Sequence, residues 1–192
     1  MSVCAKIMSS NDRSVAMIQR TKETLADAVR QFHLPRFEEI PDVGLYLEQV
    51  AKYANDCLAP LENVSLTSSM ISNYVKRGLV PNPVKKLYNR EQIAYLLYIA
   101  VVKNALSLDN IGILFDMQRR THEIKAAYDY FCTELEEFIF YVFGLKDSVK
   151  PADSNASDEK MILRNTIIAV AHQTYLNMCL RAIQSEQASD KP

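Results

Sequence analysis

Glycine is scarce in this chain. Only Gly44, Gly78, Gly112 and Gly144 occur, each beside a point where one element would end or join the next. A β-sandwich or a Rossmann domain needs more turn glycines than that, so the class is mainly α. Cysteine is sparse too: Cys4, Cys57, Cys132 and Cys179 stand far apart and form no CxxC pair. Such scattered thiols fit a reducing cytoplasm better than a disulfide framework. The longest apolar run, Ile93 to Val102, has ten residues between Arg90 and Lys103, too short to span a bilayer. Met1 to Ser10 lacks the continuous apolar core of an export signal, so a cytoplasmic protein without membrane contact is expected. His33, His122 and His172 share no ligand spacing, and there is no GxSxG, P-loop or GxGxxG. No metal, cofactor or reaction is therefore expected. Cys132 reads as a small buried residue rather than a reactive thiol. Glu134, Glu136 and Glu137 read as a solvated helix face rather than a catalytic carboxylate pair.

The most informative absence is local. From Ser72 to Arg90 there is no Asp or Glu, while Lys76, Arg77, Lys85, Lys86 and Arg90 all fall there. The chain carries −1 overall, so the rest, with 17 basic and 23 acidic residues, carries −6. A basic ribbon on an acidic protein calls for a partner of opposite charge.

With 192 residues and 48% apolar content the chain can build an ample core. From about Asp12 to His33, Ile18, Leu25, Val29 and Phe32 mark an amphipathic helix. Pro35 and Pro41 bracket a connector, with Phe37 and Ile40 pinned to the core. A second helix runs from about Val43 to Cys57 and ends before Pro60. The third is short: Ser65 or Thr67 caps it, Met70, Ile71, Tyr74 and Val75 line it, and Gly78 stops it. Val80-Pro81-Asn82-Pro83 must be extended, which suits a compact wing better than a full hairpin. Asn89 and Gln92 form a capping-box pair opening a fourth helix, apolar nearly all round and so expected mid-bundle. Ser107 caps a brief fifth helix through Ile111 and Leu114. Ile124, Tyr128, Phe131, Leu135, Phe138 and Val142 then alternate four and three apart as a heptad seam. Residues 146–157 have the composition of a linker. A last helix from about Asp158 to Ser185 has two apolar faces: Ile162, Ala169, Leu176, Leu180 and Ile183, and Ile168, Ala171, Tyr175 and Met178. Two faces imply two neighbours, one of them expected to be a second subunit. The tail QASDKP should fray.

These elements predict an all-α chain with a helix-turn-helix domain over 12–116 and a C-terminal region over 117–186 that dimerises it or senses an effector of unknown identity. In the third helix Ser68, Ser69, Ser72, Asn73 and Lys76 have the reach and chemistry for base edges or phosphates. Arg77, Lys85, Lys86 and Tyr88 extend the expected duplex DNA contact along the wing. Arg90 sits in the first turn of its helix, where a cation opposes the macrodipole unless it faces a phosphate or a carboxylate. The aromatic group Phe131, Phe138, Phe140, Tyr141 and Phe143 is expected in the core or a dimer interface rather than around a ligand. The competing class is a protein-interaction module without DNA contact.

The stretch YVKRGLVPNPVKKLYNREQIAYL resembles the centre of the MerR-type winged helix, in which a Tyr precedes a Gly-Leu turn and a wing leads to a basic residue, a Tyr and a new helix. Tyr74, Gly78-Leu79, Lys86 and Tyr88 occupy those places, and LSLDNIGILF resembles the following short helix. IPDVGLYLEQV, LTSSMISNYVKRGL and VKKLYNREQIAYLLYI together resemble a bacterial family catalogued as domain of unknown function 1836, over about Leu34 to Phe115. The resemblance implies a MerR-like DNA-binding fold and brings no established reaction or ligand. The chain departs from the MerR pattern in having Ser72 where an Arg is usual, a shorter wing, and LAPLENV lengthening the turn before the third helix.

Overall fold

The structure is a computed structural model and describes residues 22–189 apart from 63, 152 and 155, with side chains as far as residue 185. It is mostly helical: α1 (22–29), α2 (Leu47–Leu58), α3 (Ser68–Lys76), α4 (Arg90–Val102), α5 (Leu108–Thr121), α6 (Ile124–Val142) and α7 (Asp158–Ser189). The expected residues Asp12 to Thr21, with Ile18, and the last three residues of the tail lie outside the described residues. Leu25, Val29 and Phe32 are buried as the first helical stripe requires, although the helix ends at 29 and Phe32 follows it in a turn.

Two short strands, β1 (Leu45–Tyr46) and β2 (Leu87–Tyr88), pair antiparallel, with Leu45 opposite Tyr88 and Tyr46 opposite Leu87. This sheet corrects the helix expected to begin at Val43. Gly44 shows why the chain stays extended there: a Cβ on it would lie 2.8 Å from the Cβ of Leu87, so only glycine permits the strands to approach.

Local chemistry decides the ends of α3 and α4. The Thr67 hydroxyl accepts from Met70 N–H at 3.2 Å, a cap that contributes about 1 kcal/mol. At the other end Gly78 has φ +74°, Leu79 N–H donates to Tyr74 O and Gly78 N–H to Val75 O, both at 3.0 Å. That is the double bond of a Schellman stop, which a side chain on Gly78 would strain. At α4 the amide of Gln92 donates to Asn89 Oδ1 (2.9 Å) while Gln92 Oε1 accepts from Asn89 N–H (2.8 Å), the expected capping box. Gln92 Nε2 also donates to Pro81 O at 2.9 Å, so the same side chain tethers the wing.

α4 is the axis of the molecule. Ten of its 13 residues are buried, which no single amphipathic face could achieve. The apolar core runs without a break from Leu25 and Val29 through α2, α3 and α4 to Leu135, Phe138 and Met178. α6 buries the expected seam, with Tyr128, Phe131, Leu135 and Phe138 inward, and α7 lies along it. On α7 the inward residues are Ile167, Val170, Ala171, Thr174 and Met178, while Ile162, Ala169, Leu176, Leu180 and Ile183 all face outward.

Two expectations need correcting here. α5 continues to Thr121, well past Leu114, because Phe115 is buried and Arg119 lies 5.3 Å from the Tyr95 ring centroid, covering it. The three glutamates of α6 are ion-pair anchors rather than a solvated face. Glu134 binds Arg164, Glu136 binds Arg36 and Glu137 binds Lys146. Cys132 is fully buried, its thiol 3.8 Å from Pro35 O.

Candidate nucleic-acid interface

The segment between α2 and α3 is long, and its end is tied back to α2. The Asn55 side chain pairs with Leu66 as a strand would, Nδ2 donating to Leu66 O (2.9 Å) and Oδ1 accepting from Leu66 N–H (2.8 Å). That bond fixes where α3 begins. On α3, Ile71 and Tyr74 face the core. Ser69, Ser72, Asn73 and Lys76 are exposed at spacings of three and four, so they share the opposite face. Ser68 is half-buried beside them. The Ser72 hydroxyl donates to Ser68 O at 2.9 Å, turning one of its hydrogen-bonding directions back into the helix. Arg77 is exposed at the C-cap, 3.4 Å from Asp109 at the start of α5.

The wing is tighter than an extended strap. Val84 N–H donates to Leu87 O (3.1 Å) and Leu87 N–H to Val84 O (2.9 Å), so residues 84–87 close a two-residue hairpin. Its tip is Lys85-Lys86, with φ +51° and +68°. Two positive φ values in succession are the pattern of a type I′ turn, which Asn-Gly ordinarily fills. Each lysine there costs about 1–2 kcal/mol relative to a residue that tolerates the left-handed region. Both are exposed, and among the described residues neither they nor Lys76 form an ion pair with a carboxylate. Strain held at an exposed pair of like charges is the kind of outlier that accompanies a functional demand.

Two of the expected contact residues point elsewhere. Tyr88 is only 4% exposed: as a β2 residue it packs into the core, and burial pushes its phenol pKa upward. Arg90 turns inward at 19% side-chain exposure. Its Nε donates to Ile40 O at 3.0 Å, its guanidinium pairs with Glu38, and its Cζ sits 5.7 Å from the Phe37 ring centroid. The Glu38 carboxyl is held below its ordinary range first by the Lys125 hydrogen bond and also by Arg90. Arg90 thus faces a carboxylate, the second of the two partners that its place in the helix allows. Eight of the ten named residues therefore remain on the surface or at its edge: six on or capping α3, two at the wing tip. Among the described residues no group of three His, Cys, Asp or Glu side chains gathers as a metal site, and no helix is long and apolar enough to cross a membrane.

The strained lysine pair carried no sequence signal, because VKKL contains neither Asn nor Gly. No curated protein and no solved structure matches the chain. The family model Domain of unknown function (DUF1836) matches residues 35–131, half of the chain, a segment that contains β1, β2 and α2 to α5 entire, so the chain belongs to that family.

Proposed function

We propose that this protein is a DNA-binding transcriptional regulator. In this reading α2 and α3 form a MerR-like helix-turn-helix, residues 79–90 its short wing, and α3 meets the major groove of duplex DNA. The observation that carries it is the wing tip: two adjacent lysines kept in strained, exposed, unpaired positions where neutral residues would fit better. Ser69, Asn73 and Lys76 on the outer face of α3 supply the hydrogen-bonding groups for base edges and phosphates. The outward stripe of α7, with Leu176 and Leu180 each 57% exposed, is the surface through which two copies would pair. Two recognition helices about one helical turn apart then read a symmetric site.

A second reading is favoured by Ser72, where the fold's usual arginine is missing and the hydroxyl bonds back to Ser68 O. There the domain keeps the fold and binds another protein. Binding of the full chain to mixed genomic DNA fragments, at low and moderate salt, separates the two. DNA binding requires an affinity that falls with salt and a smaller salt slope for Lys85→Ala/Lys86→Ala. Affinity indifferent to both salt and the two lysines selects the interaction module.

A further inference from the structure

Where α4, the second half of α5, the start of α6 and the first turns of α7 meet, there is a cavity of about 300 Å³. Its wall is aromatic: Tyr95 and Tyr98 from α4, Phe115 from α5, Tyr128 and Tyr130 from α6. Leu163 of α7 closes one side. The rings are braced edge to face, Tyr95 against Phe115 at 4.7 Å and Tyr98 against Phe131 at 4.7 Å, so the space is held open by packed side chains. Three alanines, Ala94, Ala126 and Ala127, also line it. Ala94 is buried and Ala127 half-buried, so a larger residue at either would take up space in the chamber. The volume sits at the lower end of those that hold small organic ligands.

The polar groups lie on one side. The Gln118 amide bridges the Tyr95 hydroxyl (3.4 Å) and His122 O (2.7 Å). Around that same group, Tyr95, Gln118 and His122 also border an adjoining polar recess into which Arg119 and Arg120 enter, with Glu123 the acidic residue among its walls. Lys160, whose Nζ is 5.1 Å from the Tyr130 ring centroid, adds a cation from α7, beside Glu159. An aromatic chamber that shares Tyr95, Gln118 and His122 with a recess bordered by Arg120 and by Arg119, which also pairs with Asp116 at 3.5 Å, is complementary to a flat apolar body with one anionic end.

We propose that this cavity binds a small aromatic carboxylic acid, its ring system among the five aromatic side chains and its carboxylate in the Arg119–Arg120 recess. The site does not depend on what the basic face of α3 meets, and a failure of DNA binding would leave it standing.

The probe is 2-naphthoate, titrated into the full chain carrying ¹³C-labelled methyl groups, with 2-naphthol as the uncharged control. Naphthoate should give saturable binding, with intermolecular NOEs to the methyls of Ala127, Met117 and Leu163 and none to Leu176 or Leu180. It should bind roughly tenfold more tightly than naphthol at low salt, and Arg120→Gln should close most of that gap. Ala127→Phe, which fills the chamber, should weaken binding by roughly tenfold or more. Absence of saturable binding, NOEs confined to the outward stripe of α7, equal affinity for acid and alcohol, or full affinity in a folded Ala127→Phe would each overturn the assignment. If Ala127→Phe does not fold, the NOEs on the unaltered protein decide the matter.

Discussion

Arg36 and Glu136 form a two-pronged ion pair across 100 residues of chain, Nη1 to Oε1 at 2.8 Å and Nη2 to Oε2 at 2.6 Å. Glu136 Oε1 also accepts from Leu34 N–H at 2.9 Å, and Asp129 accepts from Phe37 N–H at 2.7 Å, so the connector after α1 is clasped to α6. The pair is mostly shielded from solvent, and removing one partner strands the other. Glu136→Ala should cost about 2–4 kcal/mol in urea unfolding. Arg36→Lys should cost measurably too, because an ammonium lacks the planar fork that meets both oxygens with two parallel hydrogen bonds.

At the wing, shape and charge can be separated. Replacing Lys85-Lys86 by alanine removes charge but leaves the positive φ strain in place. Lys85→Asn/Lys86→Gly removes both, and should raise the unfolding free energy by about 2–4 kcal/mol. On DNA the same variant should lower the slope of log affinity against log salt by about 2, if each lysine neutralises one phosphate. A variant that is stabilised yet keeps the original salt slope would detach the wing from the proposed contact.

Phe138 lies in the α6 seam, 5% exposed, with the Arg164 guanidinium carbon 4.9 Å from its ring centroid. Phe138→Ala should lower stability by about 3–5 kcal/mol in thermal or urea unfolding. A loss near zero would contradict the burial of that side chain.

Burial pushes the Cys132 thiol pKa up to about 12, against an ordinary value near 8.5. The native protein at pH 8 should therefore leave Cys132 unmodified by iodoacetamide while the urea-unfolded chain is alkylated there, as peptide mass spectrometry would read. The raised value also carries a stability consequence. The contribution is fully present below the ordinary thiol value and erodes as the pH climbs towards the folded one, because the unfolded thiol ionises first. A Cys132→Ser control should flatten that part of the alkaline profile.

Elements announced by neighbouring residues were readable in advance. Asn89 and Gln92 stand three apart, so their reciprocal bonds follow from spacing alone, and the Gly78 stop and the α6 seam are equally local. What escaped was decided by distant partners. Arg90 reads as a surface cation until Glu38, 52 residues earlier, is brought beside it. The glutamates of α6 look solvated until Arg36, Lys146 and Arg164 arrive from other segments. The polar run DMQRRT hides the length of α5 because its helix is held by Phe115 and by Arg119 lying over Tyr95 rather than by a regular stripe. For the aromatic cavity the difficulty was the same: its rings come from three helices, and those the sequence grouped together, Phe138 and Phe143 among them, went into the core instead.

The segment shared with the DUF1836 family stops at Phe131, partway along α6, while Leu135, Phe138 and Ile139 continue the same buried face beyond it. A fragment excised at that boundary would cut α6 through its buried face, removing Leu135, Phe138 and Ile139, and sever Arg36 from its carboxylate. Such a fragment should aggregate or remain unfolded, so the unit to express and crystallise is one that carries α6 and α7 intact.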